Sequence, residues 1–100
     1  MKTIAFDFDE TITLDEMTFI NAMNLFQQCG WRVLVVTFRH PNCDPHELAW
    51  FKNNGFEVFF TSQTAKREFM KEQGIEIDVW VDDTPESVIM NFHYSKGFFK

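Results

Sequence analysis

Arg32-Val33-Leu34-Val35-Val36-Thr37 is the stretch that decides the fold. It is an uninterrupted apolar run rich in β-branched residues, bounded by Gly30 and Pro41. A strand with one wet face alternates polar and apolar residues. One that does not alternate is covered on both faces, as in a parallel sheet. Three further runs read the same way: Thr3 to Phe8 before it, and Phe56 to Phe60 and Asp78 to Val81 after it.

Helix signals fill the gaps between these runs. Asp15 to Gln28 puts Phe19, Met23 and Phe26 on one face, and Gly30 stands where a left-handed residue would stop the helix. Asp44-Pro45-His46-Glu47 supplies an N-cap acid, a proline at the first helical position and a glutamate at the third, predicting a helix to about Asn54 with Gly55 behind it. Thr64 to Gln73 predicts a third helix stopped by Gly74. Thr84-Pro85-Glu86 opens a fourth that runs to about Tyr94, and Lys96 to Lys100 could add a short edge strand. Strand and helix in alternation predict an α/β fold: a three-layer, Rossmann-like parallel sheet flanked by helices. In 100 residues this is one domain, 1–100, with a single core.

Composition narrows the function. A net charge of -6 works against nucleic-acid binding unless the cations are gathered on one face. Lys66, Arg67, Lys71 and Arg39 could form such a face, although a solvated helix surface is the simpler reading. Cys29 and Cys43 have neither metal-binding spacing nor a disulfide framework. The start, Lys2-Thr3-Ile4-Ala5-Phe6, reads as a strand rather than a signal peptide, and no apolar run reaches the roughly 20 residues that span a bilayer. A cytoplasmic protein with no membrane partner is expected.

Parallel sheets bind ligands beyond the carboxyl ends of their strands, at the point where strand order reverses. Polar residues stand at each of those ends here. Asp7, Asp9 and Thr11 follow the first strand, Thr37 and Arg39 end the second, Lys66 follows the third, and Asp82-Asp83 ends the fourth. Together they suit phosphoryl transfer, which needs positioning and charge compensation. Asp7 can attack phosphorus as a carboxylate, and Asp9 can protonate the leaving oxygen and then activate water. Carboxylates so crowded call for a hard cation with oxygen ligands, for which Mg²⁺ is the natural choice. Lys66 and the Thr37 hydroxyl would hold the phosphate oxygens, with Arg39 as a further phosphate contact.

Asp7-Phe8-Asp9-Glu10-Thr11 resembles the DxDxT signature of the haloacid dehalogenase superfamily, and Thr37, Lys66 and Asp82-Asp83 match its later motifs in order. The resemblance covers nearly the whole chain. It implies that Asp7 is the nucleophile, Asp9 the general acid/base, and Thr37 and Lys66 the phosphate ligands. It also implies that Mg²⁺ is held by Asp7, Asp82 and the backbone carbonyl of Asp9, with Asp83 orienting Lys66 or holding a metal-bound water. An acid at position 9 resembles the phosphatase branch rather than the dehalogenases. Thr11 is expected to stabilise the turn after the first strand.

Two departures matter. Relatives often insert a cap domain after the first strand or before the motif lysine; here Thr11 to Asp15 and Phe60 to Lys66 are both tight, so this looks like a capless member. Phe38 stands where relatives frequently carry a small residue, and would narrow the entrance or lie on substrate. The implied substrate is a phosphorylated small molecule or nucleotide. Val81-Asp82-Asp83-Thr84 and Arg39 are also similar to the 3′-phosphatase part of phage-type polynucleotide kinases, so a nucleic-acid end is an alternative. Two rivals remain. A phosphoacceptor receiver domain uses similar groups, but places its phosphorylated Asp after the third strand and its adjacent acids early. A binding module without catalysis would not need the full set of reactive side chains.

Overall fold

A computed structural model describes residues 1–43 and 46–91. Four parallel strands, β1 (Thr3–Phe6), β2 (Arg32–Thr37), β3 (Glu57–Phe60) and β4 (Val79–Val81), form one sheet in the order β3-β2-β1-β4. Four helices accompany them: α1 (Glu16–Gln28), α2 (His46–Asn53), α3 (Lys66–Glu72) and α4 (Glu86–Ile89). Short 3-10 turns at Ile12–Leu14 and Pro41–Cys43 lead out of the first two strands. The arrangement is that of a small α/β protein compatible with a Rossmann-like fold.

The sheet is buried from both sides because its side chains alternate between two apolar clusters. Ile4, Phe6, Val33 and Val35 point to one face, where Met23 of α1 and Leu48 and Phe51 of α2 cover them. Ala5, Leu34 and Val36 point to the other, under Met70 of α3, with Phe59, Phe69 and Trp80 packed at the margin. Aromatic edges interlock on the first face: Phe6 meets Phe19 at 6.1 Å and Phe26 at 6.2 Å between ring centroids, both edge-on.

Strand order explains the division of helices. β1, β2 and β3 step in one direction across the sheet, and the chain then returns to add β4 on the far side of β1. Right-handed crossovers stepping one way lay helices on one face, and a crossover stepping back lays its helix on the other. The reversal falls between β1 and β4, so the carboxyl ends of those two strands flank the switch point.

Element boundaries follow local chemistry. β2 runs over the six residues expected. Asp15 caps α1, accepting from the Thr18 amide at 3.3 Å and from its hydroxyl at 2.7 Å. Gly30 has φ +91, the left-handed value that ends the helix. β1 stops at Phe6 rather than Phe8, although the Asp7 amide still donates to the Val81 carbonyl at 2.9 Å. The third helix starts at Lys66 instead of Thr64 because Ser62 and Gln63 adopt left-handed backbone (φ +52 and +67) and Ala65 is extended. The fourth ends at Ile89, with Met90 extended at φ -131, ψ 144, rather than running on toward Tyr94. The Asp44-Pro45 cap and the Lys96 to Lys100 edge strand lie outside the described residues.

Candidate functional site

Asp7 leaves β1 directly at the switch point, and Asp82 and Asp83 leave β4 beside it. Oxygens of these three carboxylates lie within 4.8 Å of one another. Three negative charges that close repel strongly unless something positive stands between them. Lys66, at the first turn of α3, supplies one such charge. Its Nζ donates to Asp7 Oδ1 at 3.0 Å and to Asp82 Oδ2 in a still shorter contact. All three side chains are almost sealed from water, with 1% exposure for Lys66, 9% for Asp7 and 3% for Asp82.

Burial is the main influence on Asp7 and pushes its carboxyl up to about 7. The Lys66 ammonium pulls it back, and the Asp82 charge pushes it up again. Asp7 Oδ1 also accepts from the Phe8 amide at 2.8 Å, which fixes the carboxylate against its own backbone. Asp82 is held from three sides: by Lys66, by the Thr84 amide at 2.9 Å on Oδ1, and by the Ser87 hydroxyl at 3.2 Å on Oδ2. Asp83 is tied instead to Thr11, whose hydroxyl donates to Oδ1 at 3.4 Å, and to the Thr84 hydroxyl at 3.2 Å. Among the described residues no hydrogen bond joins Asp83 to Lys66; Asp7 and Asp82 orient the lysine. Thr11 links the turn after β1 to the residues after β4, a longer reach than a local turn.

Asp9 and Arg39 form a second, more exposed group. The guanidinium grips both Asp9 oxygens, at 2.8 and 2.5 Å, and its carbon lies 5.2 Å from the centroid of the Phe8 ring. The Asp9 carboxylate is therefore turned toward Arg39 and is not among the three that converge. Thr37 is fully buried, and its hydroxyl accepts from the Arg39 amide at 3.3 Å. The loop after β3 is stitched to the loop after β2, with Thr61 donating to Thr37, Ser62 to Arg39 and Gln63 to Phe38 through backbone amides.

A cavity of about 260 Å³ opens over the cluster, with Asp7, Asp9, Phe38, Lys66 and Asp83 in its walls. Lys66 Nζ lies 5.4 Å from the Phe38 ring centroid, so Phe38 roofs the lysine. Thr37 and Arg39 do not line this cavity. Glu10, Thr84 and Ser87 do, and none of them is among the site residues expected from the sequence. The signal for Ser87 was weak, since a serine inside a helix start carries no motif.

The donor set suits a divalent cation bound through oxygen: three carboxylates converge, and among the described residues no cysteine or histidine joins them. Among the described residues no helix is long and apolar enough to cross a membrane. Compared with protein-family models, with curated proteins and with solved structures, the chain matches none.

Proposed function

We propose that the chain is a magnesium-dependent phosphatase of the capless haloacid dehalogenase type, acting through an aspartyl phosphate on Asp7. The observation that carries this reading is the buried Asp7–Lys66–Asp82 ion-pair chain, with Asp83 beside it, at the switch point of a parallel sheet. A purely structural site gains little from burying two acids around one lysine, with a third carboxylate beside them, because desolvation offsets their attraction.

Asp7, Asp82 and Asp83, with the backbone carbonyl of Asp9, would hold the ion. Bound there, Mg²⁺ supplies the positive charge that lets carboxylates and phosphate oxygens share one site. Asp7 attacks phosphorus, forming the carboxylate–phosphorus bond as the ester bond to the leaving oxygen breaks, and Asp9, once released from Arg39 and protonated from solvent, gives that oxygen its proton. Asp9 then takes a proton from the water that cleaves the aspartyl phosphate, and inorganic phosphate leaves. Lys66 stabilises the phosphoryl oxygens, while Thr37 positions the Arg39 loop through its hydroxyl. Arg39 holds Asp9 at the mouth of the site; an arriving phosphate competes for the same guanidinium and frees Asp9 to turn toward the leaving group. Phosphorylated small molecules or nucleotides are the substrate class. The tight connections after β1 and after β3 leave no room for a covering domain, which also admits a nucleic-acid 3′ end.

Phosphate release from nucleotides, sugar phosphates, an aryl phosphate and 3′- and 5′-phosphorylated oligonucleotides tests the proposal. Turnover is expected with Mg²⁺, none with chelator, and a loss of at least about 10³-fold in Asp7→Asn. Absence of turnover on every substrate, with a stable phosphoenzyme formed from acetyl phosphate, would move the assignment to a receiver-like domain.

A further inference from the structure

A second cavity, of about 450 Å³, lies between α3 and β4, away from the acid cluster. Its walls are Arg67, Lys71, Ile75, Glu76, Ile77 and Trp80. The volume falls in the range of small-ligand pockets. Lys66 turns its ammonium to Asp7 and Asp82, while Arg67, the next residue, lines this other space. Arg67 and Lys71 are one turn apart on α3 and share a face of it. Among the described residues no ion pair engages either cation.

Three chemistries meet in the lining. Trp80, half-buried against the sheet, and the two isoleucines offer a flat apolar surface. Arg67 and Lys71 offer two positive charges, and Glu76 offers an acceptor for N–H groups. A purely apolar guest would strip water from the charges without replacing it. A simple anion would leave the tryptophan and isoleucines unused. A planar base carrying a phosphate uses all three.

We propose that this cavity binds a nucleotide, with its base against Trp80, its phosphate between Arg67 and Lys71, and a base-edge N–H on Glu76. The proposal does not depend on the phosphatase reading, since none of these side chains belongs to the acid cluster. It gathers two of the cations that the acidic chain otherwise spreads over its surface, which is the condition for an acidic protein to hold a polyanion.

The test uses the full chain and two probes: AMP and GMP by titration calorimetry, and an unphosphorylated, dye-labelled short single strand by fluorescence anisotropy. Saturable binding of either probe is expected, and preference for the strand over the mononucleotides would identify nucleic acid as the source. Arg67→Glu with Lys71→Glu, both at exposed positions, should weaken binding by at least about tenfold and flatten its salt dependence. Trp80→Leu should weaken it too, and the charge variant decides the matter if Trp80→Leu fails to fold. Binding should be unchanged in Asp7→Asn, and aryl phosphate hydrolysis unchanged in the charge variant. No binding of any probe by folded protein overturns the proposal, as does binding of the unphosphorylated strand that survives the charge reversal.

Discussion

At the scale of single residues, Lys66 is the side chain on which most depends. Its ammonium is buried and shared by two carboxylates, each with few other donors. Removing one partner of a buried ion pair strands the others, which costs about 3–5 kcal/mol. Lys66→Met fills similar volume without the charge, so urea denaturation should show a loss of that size, and the proposed phosphatase activity should be lost with it. A change below about 1 kcal/mol would mean that water reaches the cluster. What the sequence made legible here was position: acids and a lysine at the carboxyl ends of strands. What it hid was pairing. The fork between Asp9 and Arg39 and the bond from Ser87 to Asp82 depend on side-chain directions that only the folded loops set.

Among the elements, legibility followed burial. β2 could be bounded from its residues because an apolar run covered on both faces has no other use in a small α/β domain. The start of α3 could not, because its signals are not local. Two consecutive left-handed residues, Ser62 and Gln63, push the helix start back to Lys66. The Ala65 amide donates to the side chain of Asn91 at 2.6 Å, a partner 26 positions away. Gly30 gives an element-scale prediction. A Cβ there would meet nothing within 4 Å, so Gly30→Ala should cost only the left-handed backbone penalty, about 1–2 kcal/mol in chemical denaturation. The pair between Arg32 and Glu57 gives another. Two bonds of 2.7 Å from Arg32 hold Glu57 below its ordinary value of 4.5. A depressed acid stabilises above its unfolded value and loses that contribution as pH falls through the folded one. Wild type should therefore exceed Glu57→Gln by about 0.2–1 kcal/mol at pH 7, the range for exposed pairs, and the gap should close below pH 4.5 in parallel melts.

Over the whole molecule, two thin cores back to back carry the stability. Met23 is fully buried in the larger one, between α1 and the sheet. Met23→Ala should cost about 2–5 kcal/mol. Against a total of about 5–15 kcal/mol for a domain, that is a large share, and a thermal melt should show it as a drop of many degrees. The parallel sheet with helices was readable from alternation alone. The strand order was not, because nothing in a strand's composition says on which side of β1 the last one joins.

That order has a consequence for how the protein is made. β1 emerges from the ribosome before the other strands, and β2 and β3 can assemble on one side of it, but its other edge stays open until β4 has been synthesised. Thr3 then donates to the Asp78 carboxylate across 75 positions, and the chain closes. Until then Asp7 and Lys66 lack Asp82, and an uncovered apolar edge is exposed to other nascent chains. A message cut short before β4 would yield an aggregation-prone stub, because the strand that completes the acid cluster also shields the sheet.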